Sequence, residues 1–358
     1  KPGENVTVAG EQSGCKIYLG QTGVNVAELR FTGEQHIELQ AFYAVVLTVD
    51  SLMVKMTDSS AWLHVNGREL QLDVFREVQV KSGNLLWRDA QMRCANHASA
   101  TSCSMTVTAE EKDHWGYVIP SRAYLLAVHA GRERSFELKL SLVIREDAEV
   151  HFGSACHNGC VWDGDGRTLS PRTRFVMLGE VNNHGTLKVS DIETQPSSLA
   201  WTNHQAGTLR FAAWEFPATL LPKSTFADNL FDDKKNDLPA VKTHMPIELE
   251  VPLNNAGTLD MCDLSSTWPL EVSIAKGGNS AGGKFRLCSN TELEVRGGYS
   301  FDARTEFGST EATGSVGTIR FSVEPVGLPS RGSSSPSSRP RDNPEMTASF
   351  ASAGSSRL

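Results

Sequence analysis

The sequence predicts an all-β protein whose central part is a β-solenoid, or parallel β-helix, and three observations lead to this fold class. Nearly every periodic stretch alternates apolar and polar residues, as at 24–31, 135–142 and 247–251, which is typical of strands with one buried face. Clusters of Gly, Asn, Asp and Ser separate these stretches, and no amphipathic helix of ordinary length is evident. A short glycine-centred phrase also recurs in the second half of the chain.

The phrase occurs four times and each copy leads into an alternating strand. The copies lie at 182–187, 203–209, 254–259 and 314–319, and all contain Gly-Thr-Leu or Gly-Thr-Ile. The first two glycines are 22 residues apart, which is close to one coil of a parallel β-helix. The wider gaps of 50 and 60 residues fit two or three coils, or coils that carry insertions.

Each residue type in the phrase has a physical reason to be there. Glycine reaches positive φ without a Cβ clash, so it suits the sharp turn of a coil. Asparagine also tolerates left-handed backbone, and stacked Asn side chains hydrogen-bond along the axis of a solenoid. Thr and Leu then begin a strand whose alternate residues point inward, and one coil buries its apolar face only by stacking on the next.

The phrase resembles the Asn-x-Gly-Thr-Leu coils of right-handed β-helix surface proteins, such as autotransporter passengers and filamentous adhesins, and of pectin-lyase-like folds. The resemblance covers about residues 116–326. It implies a surface-displayed scaffold, either adhesive or active on polysaccharides. The alternative fold is two or three β-sandwich domains that carry the four phrases as hairpin turns.

The chain of 358 residues divides into three regions. Residues 1–115 are expected to form a β-rich N-terminal domain, interpreted as a β-sandwich, and residues 116–326 the solenoid. Within the solenoid, residues 223–242 lack strand periodicity and are expected to form a surface insertion. Residues 327–358 are rich in Ser, Pro and Arg and are expected to be a disordered tail, because few apolar groups offset the ordering entropy.

The seven cysteines form three pairs that are close in sequence, and they leave Cys15 alone. Proximity predicts disulfides rather than a metal site, although connectivity does not follow from sequence. Asn5 begins the single N-x-[ST] sequon and is a candidate glycosylation site. Together these features favour an oxidising compartment, with the protein extracellular or on the cell surface. The predicted pairs are Cys94 with Cys103, Cys156 with Cys160, and Cys262 with Cys288.

Composition and motifs narrow the function classes. The formal net charge of −8 gives no general basic surface for nucleic acid, and no apolar run reaches the ~18 residues of a membrane helix. The chain contains no H-E-x-x-H, P-loop or G-x-G-x-x-G motif. No cofactor is expected, apart from calcium at Asp163 and Asp165, where a plain Asp-Gly turn is the alternative.

Several residues are candidates to face a ligand. His184 and His204 occupy corresponding positions in two copies of the phrase, so they are expected to stack or share a ligand. A carbohydrate-stacking platform is the hypothesis for four aromatic residues if their side chains are exposed, with core packing as the alternative. A polysaccharide-active enzyme would place its carboxylates and basic groups along one sheet. The aromatic candidates are Trp115, Tyr117, Trp201 and Trp214, and the enzyme candidates are Asp163, Asp165, His184, Arg210 and Glu215.

The leading hypothesis for function is a secreted or surface-displayed structural, adhesive or recognition module. Its partner would be a glycan or a protein at a surface, with self-assembly as a further property. The alternatives are a polysaccharide lyase or hydrolase on the same scaffold, and a virion-associated assembly protein.

Overall fold

The structure is a computed structural model, and in the part of the chain that it describes the only regular elements are β-strands. The described residues are 3–10, 14–20, 23–41, 43–66, 70–88, 91–95, 102–129, 135–156, 174–177, 179–190, 192–194, 196–212, 247–262, 270–288, 291–308, 317–321 and 346–349.

These strands wind into a parallel β-helix with three faces, and each coil pairs with the next on every face. In the first coils, faces 1 and 2 are formed by long strands that pair with one another. They are β1 (Asn5–Gly10), β3 (Val24–Gly33), β5 (Val45–Met56) and β7 (Leu70–Arg88). Face 1 continues with β8 (Gln91–Cys94), β11 (Ser135–Lys139), β14 (Arg174–Met177), β17 (Glu193–Thr194), β20 (Ile247–Leu249), β23 (Leu270–Ile274), β26 (Thr291–Val295) and β29 (Thr318–Phe321).

The other two faces have the following strands. Face 2 contains β9 (Ser104–Val107), β12 (Ser141–Ile144), β15 (Val181–Asn183), β18 (Trp201–Asn203), β21 (Leu253–Asn255), β24 (Gly278–Ser280) and β27 (Tyr299–Phe301). Face 3 contains β2 (Cys15–Leu19), β4 (Ile37–Ala41), β6 (Trp62–Asn66), β10 (Ser121–His129), β13 (Ala148–Cys156), β16 (Thr186–Val189), β19 (Thr208–Phe211), β22 (Thr258–Asp260), β25 (Lys284–Arg286) and β28 (Glu306–Gly308).

The N-terminal strands belong to the same solenoid, so the β-sandwich expected for residues 1–115 is wrong. β1, β3, β5 and β7 pair in parallel and in sequence order. β7 then pairs with β8, with β9 and with β10 along successive parts of its length, so one strand runs through all three faces. Strands this long hide the repeat, because β7 has no turn residue at its first corner and only Ser82-Gly83-Asn84, with Gly83 at a φ of 78°, at its second.

Three of the four glycine phrases are equivalent in space. Gly185, Gly207 and Gly257 all lie at the corner between faces 2 and 3, and the leucines that follow them are in register, Leu187 with Leu209 and Leu209 with Leu259. The gap of 50 residues is therefore a single coil with an excursion between β19 and β20. The predicted insertion at 223–242 belongs to that excursion and lies outside the described residues.

The fourth phrase occupies a different place. Gly317 precedes β29, which pairs with β26 on face 1. The residue that takes the corner position after Gly257 is Gly283, which precedes β25. The match between Gly317 and the other copies is one of sequence and not of position.

The corner positions require glycine because the backbones of successive coils approach closely there, and not because the backbone is left-handed. None of the three has a positive φ. A Cβ on Gly207 would lie 2.4 Å from the carbonyl oxygen of Asn183 and 2.4 Å from Oδ1 of Asn203, and one on Gly257 would lie 2.2 Å from the carbonyl oxygen of Gly207. At this contact the Gly207 carbonyl accepts a hydrogen bond from the Thr258 amide at 2.9 Å. Each coil therefore rests directly on the backbone of the coil before it.

A buried asparagine ladder runs beside these glycines. Nδ2 of Asn183 donates to Oδ1 of Asn203 at 2.8 Å, and Nδ2 of Asn203 donates to Oδ1 of Asn255 at 2.8 Å. The first two amides also donate to the carbonyl oxygens of Thr208 and Thr258 at 3.0 Å. The ladder ends where the neighbouring coils present Ile144 and Ser280 instead of asparagine.

The interior of the solenoid is filled by columns of apolar side chains at matching register positions. One column on face 3 passes from Leu187 through Leu209 and Leu259 to Phe285, and all four are at most 2% exposed. Burying such side chains contributes about 1.5–3 kcal/mol each. The inward positions of every face supply one continuous core.

Two disulfides occur among the cysteines that the structure describes, and both join cysteines that are close in sequence. Cys94–Cys103 closes the corner between β8 and β9, and Cys262–Cys288 links the ends of β22 and β25 on successive coils. Cys15 is half-buried and free, as the pairing predicted. The Cys156–Cys160 pair lies outside the part of the chain whose side chains are described.

The tail prediction is wrong for four residues. β30 (Met346–Ser349) pairs antiparallel with β29, at the last coil of face 1. The rest of 327–358 lies outside the described residues.

Replacing Asn203 with Ala is expected to lower the free energy of unfolding by about 2–4 kcal/mol, because the change removes three hydrogen bonds and leaves buried partners on Asn183 and Asn255 unsatisfied. Chemical denaturation measures the loss. Thr202→Ala, on the same strand with a partly exposed side chain, should cost less than about 1 kcal/mol. Equal losses for the two variants would contradict a structural role for the ladder.

Gly207→Ala is expected to destabilise the protein by about 3 kcal/mol or more, since the added methyl meets backbone and amide oxygens that have no room to move. Gly308→Ala is the matched control, because a Cβ there has nothing within 4 Å. Thermal unfolding should separate the two variants by several degrees. If Gly207→Ala unfolds at the same midpoint temperature as the wild-type protein, the corner accommodates the methyl group at little cost in free energy.

Candidate functional site

The glycine phrase builds a polar ridge on the outside of the corner between faces 2 and 3. Asn183 and Leu187 point inward, so strand alternation turns Asn182, His184 and Thr186 outward. The same positions recur on the next three coils. We call this set the corner ridge; its members are Asn182, His184, Thr186, Thr202, His204, Thr208, Asn254, Thr258 and Asn279.

The two histidines of the ridge form a flat stacked pair. The rings of His184 and His204 lie 3.8 Å apart with an angle of 5° between their planes. Nε2 of His204 lies 3.3 Å from Oδ1 of Asn182, and because an amide oxygen only accepts, Nε2 carries the proton and donates. Partial burial, and secondly the neighbouring His184, lower the pKa of His204. This imidazole is therefore neutral at neutral pH, and one of its two ring faces is covered by His184.

Amides and hydroxyls continue the ridge on both sides of the histidine pair. Nδ2 of Asn279 donates to Oδ1 of Asn254 at 2.7 Å. On face 3, Thr186, Thr208 and Thr258 are in direct register. Neighbouring strands are about 4.8 Å apart, so the ridge repeats uncharged donors and acceptors at that interval.

An exposed aromatic turn stands at the same corner, two coils earlier. It is part of the excursion between β9 and β10, and its Trp115 and Tyr117 are 75% and 73% exposed. Oδ1 of Asp113 accepts hydrogen bonds from the amides of both residues at 2.9 Å, which fixes the turn. The side chain of Lys55 on β5 holds the base of the excursion through an ion pair with Glu111 at 2.9 Å.

The predicted ligand-facing residues divide into three groups. His184 and His204 come together as the 22-residue spacing indicated. Trp201 is wrong as a ligand-facing residue: it is 1% exposed and packs against Phe152 with ring centres 6.0 Å apart, because its register partners Val181 and Leu253 both point into the core. Other predicted positions lie outside the described residues, namely Asp163, Asp165, Trp214 and Glu215.

Asn5 lies away from the ridge, whereas Arg210 lies beside it, two residues after Thr208 on β19. The sequon residue Asn5 is exposed on β1, the first strand of the solenoid. Arg210 points outward on face 3, in register with Lys188 and Asp260. No group of three or more His, Cys, Asp or Glu side chains suited to a metal ion occurs among the described residues.

A second polar row, on the outside of face 3, escaped the sequence reasoning. Its titratable members His64, Tyr124 and His151 are at most 5% exposed although strand alternation turns them away from the core. Tyr124 lies between Trp62 and His151, with ring centres at 5.6 Å and 5.9 Å. The available signal was the run of consecutive apolar residues in β7 and β10, which is typical of strands buried on both sides.

Burial controls the charge of this row. Burial, and secondly the positive charges of Arg88 and Lys16, lower the pKa of His64 to about 3. Burial, followed by Lys188, lowers the pKa of His151 to about 3, and the ring lies 3.1 Å from Oγ of Ser190. Burial, followed by the Glu149 carboxylate, raises the pKa of Tyr124 to about 12. These three side chains are therefore neutral at physiological pH and form a packed, uncharged row.

The free energy of unfolding is expected to fall as the pH drops from 6.5 towards 4. The unfolded chain protonates its histidines near pH 6.5, whereas folded His64 and His151 stay neutral down to about pH 3, so acid favours the unfolded state. Each of the two histidines contributes a slope of about 1.4 kcal/mol per pH unit. Denaturation curves of His151→Gln across this range should show a shallower slope than wild type, while His114→Gln, at an exposed site, should not.

Comparison with known proteins gives no relative from which a function could be transferred. No protein-family model, no curated protein and no solved structure matches this chain.

Proposed function

We propose that the protein is an extracellular or surface-displayed recognition module of adhesive type, which binds a glycan along the corner ridge. The observation that carries the proposal is the stacked His184–His204 pair within a regular series of amide and hydroxyl side chains. A sugar chain offers hydroxyl donors and acceptors on its edges and apolar C–H faces. The ridge supplies uncharged hydrogen-bond partners for the sugar hydroxyls and a flat ring face for the apolar C–H groups.

The aromatic turn extends this surface. Trp115 and Tyr117 are large and exposed, and Asp113 holds their backbone amides, so the turn loses little backbone freedom when a ligand stacks on the two rings. They stand at the same corner as the histidines. A glycan lying along the axis of the solenoid would contact both groups.

The scaffold and the compartment support the same role. Direct backbone contact between coils fixes the spacing of the ridge, so binding requires little reorganisation. The two disulfides fit an oxidising compartment. No helix in the described part of the chain is long and apolar enough to cross a membrane. The resemblance of the phrase to β-helix adhesins points in the same direction.

A glycan array, followed by titration calorimetry with the best ligand, tests the proposal. Tyr117→Ala and His204→Ala are expected to weaken binding by tenfold or more, because each removes a flat stacking surface. Tyr43→Ala is the matched control, since Tyr43 is 53% exposed and precedes β5, away from the corner ridge. Circular dichroism checks the fold of each variant.

Three outcomes would contradict the proposal: no glycan bound, equal loss in the Tyr43 control, or release of new reducing or unsaturated ends from the ligand. The last would favour the polysaccharide-active enzyme. A mass measurement on the same sample reports self-assembly, which the virion-associated alternative requires.

A further inference from the structure

A row of charged side chains runs along the outside of face 3, beside the threonines of the corner ridge. The strand register aligns its members, which are Lys188, Arg210, Asp260 and Arg286. Alternate residues of a strand lie on the same side, so about 6.8 Å separates this row from the threonine column. We call it the charged row. A ligand on the ridge lies within reach of these side chains.

Two members of the charged row are held by contacts of their own. Nζ of Lys188 donates to Oε1 of Glu149 at 2.6 Å. Oδ1 of Asp260 accepts a hydrogen bond from the backbone amide of Cys262 at 3.0 Å, so this carboxylate is directed to its own strand end. The other two members of the row are the arginines.

Neither arginine of the charged row is neutralised. Among the described residues, no carboxylate forms an ion pair with the guanidinium group of Arg210 or of Arg286. Arg286 is exposed, whereas Arg210 is half-buried and its Nε is enclosed without a hydrogen-bond partner. Because Nε is enclosed, the Arg210 side chain has little room to move, which lowers the cost of ordering it when a ligand binds.

The chemistry of a guanidinium group selects an oxyanion. It has N–H donors and no acceptor, and its planar fork donates two parallel hydrogen bonds to a carboxylate or a sulfate group. Such charge-assisted bonds are about twice as strong as neutral ones. The whole chain carries a formal net charge of −8, so it does not attract anions in general. Preference for an anion would therefore come from a local group.

We propose that Arg210 holds the oxyanion of an acidic sugar, a carboxylate or a sulfate group, while the sugar chain lies on the corner ridge. This anion subsite rests on the proposed glycan function and deepens it, because it defines the ligand class and the edge of the sugar chain that is turned to face 3. Arg286 lies two coils further along the charged row, about 9.6 Å away, and takes a second oxyanion of the same chain.

Two pairs of oligosaccharides distinguish the two oxyanions. A hyaluronan octasaccharide carries carboxylates only, and its methyl ester is the neutral control. A keratan sulfate octasaccharide carries sulfates only, and its desulfated form is the neutral control. Titration calorimetry should show that the wild-type protein binds at least one charged form about tenfold more tightly than its neutral control. Preference in the first pair assigns a carboxylate, in the second a sulfate, and in both an oxyanion of either kind.

Variants of the charged row test the assignment to Arg210. Arg210→Gln should reduce the preference to less than about twofold, because an uncharged amide does not neutralise an oxyanion. Arg210→Lys keeps the charge but not the fork, so it should retain a preference of about threefold. Asp260→Asn should increase the preference, since it removes a neighbouring carboxylate. Arg76→Gln, at a 70% exposed arginine at the corner between faces 1 and 2, is the matched control and should keep the wild-type preference.

The preference is a ratio measured on one sample, so a partly folded variant does not change it. Equal binding of charged and neutral forms, a preference that survives in Arg210→Gln, or one that is lost equally in Arg76→Gln would overturn the anion subsite. If the charged forms bind through Arg210 with affinities that His204→Ala and Tyr117→Ala leave unchanged, the subsite stands and the ridge is wrong as the glycan site. If none of the four forms binds, the subsite is wrong, and the glycan array decides separately on the ridge.

Discussion

Direct contact between the backbones of successive coils, at the corner between faces 2 and 3, is the constraint on which the rest of the solenoid depends. Gly207 and Gly257 leave no room for a Cβ, and their carbonyl groups accept the first hydrogen bonds of the strands on the next coil. In the asparagine ladder beside them, the Nδ2 groups of Asn183 and Asn203 also donate to backbone carbonyl groups of the next coils. This contact sets the pitch of the coils, and the apolar columns of all three faces keep that pitch.

The same constraint creates the outer surfaces. Since the corner residues cannot shift along the strand, the side chains on either side of them repeat at identical positions on neighbouring coils. Stacked imidazoles and threonine columns at the ridge, and the charged row beside them, are consequences of one register. This stacking explains how residues distant in sequence, such as Arg210 and Arg286, come to lie in one row.

Sequence spacing reveals a coil only where no insertion or continuous strand interrupts the repeat. Gly185 and Gly207 predicted one coil, and the structure places them on adjacent coils, because their spacing is free of insertions. Gly317 was wrongly grouped with the other phrase glycines, because a Gly-Thr-Ile turn suits any corner of a β-helix and does not indicate which corner it occupies. Residues 1–115 gave the opposite error, because coils of the solenoid were interpreted as a β-sandwich. Strand β7 passes two corners as one continuous strand, and the single glycine at the second corner, Gly83, does not divide it into separate periodic stretches, so the repeat is hard to recognise in the sequence.

The sequence by itself determined the all-β class, the alternation that directs each strand inward or outward, two local disulfides and the adjacency of His184 and His204. These are consequences of local spacing, which a chain carries without reference to its fold. Only the tertiary structure decided that Trp201 is core, that His64, Tyr124 and His151 are buried on an outer surface, and that Arg210 and Arg286 share one row. Those outcomes depend on which strands become neighbours across excursions of variable length, and that choice is made by packing between coils.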